Sequence, residues 1–182
     1  MIDNSTHTPT PLECKDYVKY LGVLLDNNLS WKFHVDSVAL KISRIIGVIA
    51  RLRHFVPLIT LLSIYRSLIL PYLSYGLAAW GQAAKTHLQK IPVLHKRALR
   101  LMYIFLNPEL ILPLNMLYVE TVSSIMFDVS HMTVPPNITD LFTKAKEKHM
   151  HKTRFSSSDN FYITTSRLSQ TQGSFARFGA KP

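Results

Sequence analysis

Between Ser67 and Ala84 the sequence runs for eighteen residues without a charge, "SLILPYLSYGLAAWGQAA". Any fold of this chain has to take that run out of water. Its length is close to the lower limit for a membrane-spanning helix. Pro71, Ser74, Gly76, Gly81 and Gln82 interrupt it, however, and Arg66 blocks its extension backwards. The flanking segments have polar sides that lipid would strand. A core helix packed on all sides by amphipathic neighbours explains the same residues in water. No membrane association is expected.

The neighbours are legible from their periodicity. "DYVKYLGVLLD" (Asp16 to Asp26) alternates and then becomes continuously apolar, which predicts one strand ended by the turn signal "DNN". From Ser30, a residue suited to capping, Val35, Val38, Ile42, Ile45, Ile49 and Leu52 recur by threes and fours. That spacing predicts a helix from about Trp31 to Arg53. "HFVP" breaks it, and a second helix begins near Leu58, with a kink or break at Pro71 and an end near Gly76. A third starts near Pro92 with Ile91, Leu94, Ala98, Leu101 and Phe105 as its apolar face. "NPELILPL" is a double-proline loop, and "NMLYVETVSSIMFDVSHM" forms a fourth helix. After Lys144 the composition turns polar and serine-rich. The fold expected is mainly α: a bundle of three to four helices with an isolated N-terminal strand and an irregular C-terminal tail. Its expected divisions are a leader plus strand over 1–29, a helical domain over 30–143, and a polar tail over 144–182.

Charge is concentrated in the middle of the chain. The formal net charge is +10. Residues 31–106 hold eleven Lys or Arg against Asp36 alone, so the whole surplus sits where apolar residues are densest. At about 100° per residue, Lys41, Arg44 and Arg51 share an arc of about 80° beside the first helix's apolar stripe. Lys96, Arg97 and Arg100 fall on the flank of the third helix, with Lys90 close behind. Arg66 lies in a nearly all-apolar helix and must emerge at a surface or find a partner. A folded basic surface of this kind suits a polyanion such as nucleic acid. A solvated face kept for solubility is the plainer alternative.

Several chemistries are disfavoured. No two acids are adjacent, and residues 31–106 contain only Asp36, so a two-metal carboxylate site has no evident ligands. His149 and His151 lack the thiolates or further histidines that a zinc site needs. His34, His54, His87 and His95 are scattered and read as surface or partly buried residues. No G-x-S-x-G, P-loop or glycine-rich fingerprint occurs. Neither catalytic residues nor a metal or other cofactor are expected in this chain. Cys14 is the only cysteine, which leaves no internal disulfide, and the first residues do not read as a signal peptide. An intracellular protein, nuclear or cytoplasmic, is expected.

Four segments in order carry a resemblance: "VKYLGVLLDNNLSWKFHV", "KISRIIGVIARLRHFVP", "LLSIYRSLILPYLSYGLAAWG" and "LQKIPVLHKRALRLMY". Together they resemble the C-terminal part, the thumb and beyond, of reverse transcriptases from Jockey-like, LINE-type non-LTR retrotransposons. "NITDLF", "HMHKTR" and "SFARFGAKP" resemble that family's C-terminal end. The resemblance implies that Tyr20, Leu21 and Gly22 belong to a strand at the palm's edge that positions the primer. It also implies that the helices grip a template–primer duplex, an RNA–DNA hybrid or RNA, read by shape and backbone. The family's catalytic aspartates and their Mg2+ belong to a palm upstream of that strand. This sequence contains no Tyr-x-Asp-Asp turn. It is therefore expected to resemble a polymerase fragment, inactive alone, whose partners in the parent enzyme are the palm and fingers. The other reading is a small helical interaction or structural protein with no nucleic-acid role.

Overall fold

The segment expected as one strand is two. In the computed structural model, which describes residues 15–103, 113–148 and 161–162, β1 (Tyr17–Tyr20) and β2 (Val23–Asp26) form an antiparallel hairpin, with Tyr20 opposite Val23 and Tyr17 opposite Asp26. The two-residue turn places Leu21 at φ 45° and Gly22 at φ 83°. Two successive positive φ values give the turn whose twist matches that of the flanking strands. Glycine adopts that conformation freely, whereas leucine does so against its Cβ. The signal was therefore half hidden: Leu-Gly is not a usual pair for such a turn. The hairpin corrects the isolated strand, and its partner is its own other half.

α1 (Lys32–Leu52) follows. The expected cap, Ser30, has a minor part in it, since its Oγ accepts from Lys32 N–H at a long 3.4 Å. Asp26, at the end of β2, instead fixes the two residues that lead into α1. Its Oδ2 accepts from Ser30 N–H at 2.9 Å and from Ser30 Oγ–H at 2.7 Å, while its Oδ1 accepts from Trp31 N–H at 2.9 Å. A carboxylate beside a helix N-terminus also meets the favourable end of the helix dipole. Burial alone would raise the Asp26 pKa. The hydrogen bonds from Ser30 and Trp31 outweigh it and hold the carboxyl below its usual range.

The uncharged run forms the middle of the core. α2 (Leu58–Ile64) passes into a π-helical turn (Tyr65–Ile69) and then α3 (Leu70–Ser74), making a continuous helix over residues 58–74. The helix does not break at Pro71, and the reason is local. Proline lacks an N–H, and its ring crowds the carbonyl four residues back. In the wider π turn Leu70 N–H reaches Tyr65 O, which opens the backbone just before the proline. The chain turns at Tyr75 (ψ 118°) and Gly76 (φ 63°), then enters α4 (Leu77–Trp80). No helix among the described residues is long and apolar enough to cross a membrane.

α5 (Lys85–Leu88), α6 (Lys90–Tyr103) and α7 (Leu114–Ser130) complete the main bundle, followed by the short α8 (Pro136–Thr139) and α9 (Ala145–Lys148). α1 and α6 lie side by side, and both pack on the 58–74 helix, while α7 packs against α3 and α4. Ile42, Ile49, Ile69, Leu73, Leu77, Trp80 and Ile91 are fully buried where these elements meet. Gly81 ends α4 at a close approach, since a Cβ there would overlap the Tyr118 ring and the Leu77 carbonyl. Most of the expected tail lies outside the described residues, as do "HMHKTR", "SFARFGAKP", His149, His151, Phe105 and most of the double-proline loop. Phe161 and Tyr162 are described. Tyr162 N–H donates to Thr143 O at 2.7 Å, and Phe161 packs on Phe142 with ring centroids 5.5 Å apart.

Candidate nucleic-acid interface

Two buried histidines decide how the basic residues are displayed. His34 and His95, expected at the surface or half-covered, are 5% and 3% exposed. His95 Nε2 lies 2.7 Å from the Tyr65 hydroxyl, and the two rings stack at 5.9 Å. This contact changes the orientation of α6. The face read from sequence centred on Leu94 and Leu101, but the buried residues are Ile91, His95, Ala98 and Met102. At about 100° per residue the helix is rotated by about 50° from the expected setting. Arg97 and Arg100 consequently turn further outward, and with Lys96 all three are exposed.

α1 is displayed in a similar way. Val35, Val38, Ala39, Ile42, Ile46 and Ile49 are buried, and Lys41, Arg44 and Arg51 are exposed on the opposite side. Because α1 and α6 rest their apolar sides on the same helix, their basic sides face solvent together. Between them runs a groove of about 530 Å³, lined by Ala39, Ser43, Gln89, Lys90, Val93 and Leu94. On α6, Lys90, Val93, Arg97 and Arg100 follow at spacings of three and four, a single row along this edge. Lys90 is not free there: its Nζ lies 2.6 Å from Asp36 Oδ1, so the lone acid of residues 31–106 neutralises one end of the row.

Two expected residues stand elsewhere. Arg66 is exposed on the π-helical turn of the 58–74 helix, not on α1 or α6. Lys41 turns away from α6 and places its ammonium over the Tyr72 ring, 5.1 Å from the centroid. This is a cation–π contact. Tyr20, Leu21 and Gly22 form the end of the hairpin, which is held to the helical body when Tyr75 O–H donates to Leu21 O at 2.6 Å. Tyr20 and Leu21 are 63% and 73% exposed.

Sequence reasoning missed His34. It lies at the first turn of α1, and its Nδ1 accepts from Leu24 N–H at 3.3 Å. The proton of the neutral ring therefore sits on Nε2, a buried donor without a hydrogen-bond partner. Burial, with the Lys41 ammonium nearby, lowers its pKa. His95 is likewise held neutral by burial. A histidine three residues after Trp31, on the side of the helix carrying Val35 and Val38, was the available signal for His34.

Among the described residues no three His, Cys, Asp or Glu side chains come together as a metal site. Asp26 is occupied by Ser30 and Trp31, and Asp36 pairs with Lys90. The residues present do not fit the Mg2+ that the resemblance assigns to the palm.

About half of the chain is homologous to RNA-directed DNA polymerases of non-LTR retrotransposons. Its relatives include the RNA-directed DNA polymerase from mobile element jockey of Drosophila melanogaster, 38% identical over 86 residues. The jockey polymerase of Drosophila funebris is 36% identical over 86 residues, in each case 45% of this chain. The probable RNA-directed DNA polymerase from transposon X-element of Drosophila melanogaster is 29% identical over 94 residues, or 50% of the chain. The chain spans about a tenth of the length of these curated relatives, 9% for the jockey polymerases and 10% for the X-element enzyme. No family model matches the chain, and neither does any solved structure.

Proposed function

We propose that residues 30–143 act as a thumb-like nucleic-acid-binding domain, with the outer sides of α1 and α6 lying along the backbone of a template–primer duplex. The observation that carries this reading is the joint display of Arg44, Arg51, Lys96, Arg97 and Arg100 on two neighbouring helices. Across residues 31–106 only one acid opposes them, and it already holds Lys90. Guanidinium and ammonium groups spaced along parallel ridges suit phosphates, which carry no sequence information but fix position on the duplex. The likeness to RNA-directed DNA polymerases supports an RNA–DNA hybrid or RNA as the ligand. In this reading Tyr20, Leu21 and Gly22 serve the primer end, and Arg66 makes a separate phosphate contact. The catalytic palm is supplied by other parts of a polymerase, and the chain alone binds without polymerising. The working compartment is intracellular.

The test is salt-dependent binding to an RNA–DNA hybrid. Replacing Lys96, Arg97 and Arg100 with Glu should weaken binding and reduce the slope of log K against log salt by about 2–3, roughly one unit per lost phosphate contact. A triple variant that binds as well as the parent would remove this face from consideration. Binding to heparin as tight as to the hybrid would favour a general polyanion or acidic-partner surface instead.

A further inference from the structure

A second cavity, of about 290 Å³, lies on the other side of α1 from α6 and has a different character. Its walls come from three parts of the chain: Leu21 at the hairpin turn, His34 and Lys41 on α1, and Pro71, Tyr72 and Tyr75 from the end of the central helix. The volume is near the lower end of the range for ligand pockets. Aromatic rings and aliphatic side chains dominate the lining, and Lys41 stands at the rim over Tyr72. The exposed row Lys41, Arg44, Val48, Arg51 leads from this rim along the outer side of α1. The cavity therefore opens where a cationic track begins.

Two features of the lining are unexplained by folding alone. His34, 5% exposed, carries a buried Nε2–H without a hydrogen-bond partner, and a buried donor left unpaired is unfavourable. Leu21 holds φ 45° while 73% exposed, where Asn would fit the turn with less strain and no apolar surface would face water. Both residues line the cavity. An apolar cavity walled by tyrosine rings with a cation at its rim matches one chemistry well: an aromatic ring attached to a phosphate.

We propose that this cavity holds a single unstacked nucleobase of a single-stranded segment, stacked on Tyr72 in place of the Lys41 ammonium, which moves to the adjoining phosphate. The inference rests on the reading of α1 and α6 as a nucleic-acid surface and adds a single-strand site to it. A strand leaving the duplex grip would follow Arg51 and Arg44 to Lys41 and deliver a base at the cavity mouth. Stacking on an aromatic ring accepts any base, so the site is tolerant of sequence.

The experiment compares a blunt RNA–DNA hybrid with the same hybrid carrying a short single-stranded tail that contains 2-aminopurine. The parent should bind the tailed form roughly tenfold more tightly, the scale that stacking one base contributes. It should also quench the 2-aminopurine fluorescence. Tyr72→Leu keeps an apolar side chain and removes the ring, and should bring the ratio of the two affinities close to one. Lys41→Ala, at an exposed position, gives an independent variant that should reduce the same ratio if the tyrosine variant fails to fold. A parent that binds both forms equally, or a ratio unchanged in folded Tyr72→Leu, would overturn the cavity assignment while leaving the duplex face standing. If replacing Lys96, Arg97 and Arg100 with Glu left both affinities unchanged, the underlying duplex reading would fail instead.

Discussion

Replacing Asp26 tests whether one carboxylate ties the hairpin to the bundle. In Asp26→Ala three hydrogen bonds vanish together: those from Ser30 N–H, Ser30 Oγ–H and Trp31 N–H. The hydroxyl can turn to another acceptor, but the two backbone donors lie at a partly buried corner. A hydrogen bond to a charged group contributes about 1.5–3 kcal/mol, less where several share one carboxylate. Because the effects overlap at one site, the sum expected is about 2–3 kcal/mol. Urea unfolding followed by tryptophan fluorescence is well placed to read it, since Trp31 donates to Asp26 and Trp80 is fully buried in the core. The midpoint should fall while the slope stays the same. Acid adds a second signature. The Asp26 carboxyl titrates below its usual 3.8 in the folded chain, so the unfolded chain takes up the proton first. Its contribution is complete above about pH 4–5 and is lost as pH falls through the folded value. The gap between the parent and Asp26→Asn should therefore narrow on acidification from about pH 5 to about pH 3. A loss below about 0.5 kcal/mol in Asp26→Ala, or a gap to Asn that does not narrow, would refute the tie between hairpin and bundle.

Four further outcomes are expected. Gly81→Ala drives a methyl into the Tyr118 ring and the Leu77 carbonyl, and thermal unfolding should show a loss of about 1–3 kcal/mol. Tyr65→Phe leaves His95 Nε2 without its partner at 2.7 Å, so stability should fall by about 1–3 kcal/mol. His34 and His95 are both held below 6.5 in the folded chain. The unfolded chain therefore binds protons first, and parent stability should decline as pH drops from about 7 through the folded values, more shallowly in His95→Phe. Leu21→Asn suits the positive φ of the hairpin turn and should raise the unfolding free energy by about 0.5–1 kcal/mol, read by urea unfolding, while weakening any ligand that uses Leu21.

Much of the bundle was legible because its apolar residues recur at helical spacing. Val35, Val38, Ile42 and Ile49 were read as buried and are so. The misreading of α6 has a physical cause, a polar pair that joined the core across thirty residues. His95 looked like a surface residue until Tyr65, thirty positions earlier, offered its hydroxyl. With His95 on the buried side of α6, Arg97 and Arg100 face further outward than expected. Asp26 was read as part of a turn, and its second role depended on α1 beginning within reach of its carboxylate. The cavity beside Lys41 draws on three separate segments, so no local pattern announces it. The basic surplus, by contrast, was visible in counting alone, because eleven cations against one acid leave few ways to hide them.

The π-helical turn has a consequence for how this stretch of sequence tolerates insertion and deletion. Leu61, Tyr65, Ile69 and Leu73 recur every four residues and are each at most 2% exposed. On a regular α-helix a four-residue repeat drifts by about 40° per step, so Leu73 would lie about 120° out of phase with Leu61. The extra residue wound into Tyr65–Ile69 takes back much of that drift. Removing one residue there would yield an ordinary helix whose second half stays in phase, since an eleven-residue separation leaves Leu61 and Leu73 only about 20° apart. A deletion elsewhere in residues 58–74 would instead swing Leu73 by about 100° out of the core and carry Tyr75 away from Leu21 of the hairpin. The irregular turn works as a phase correction, and everything from Leu70 to Trp80 is aimed through it.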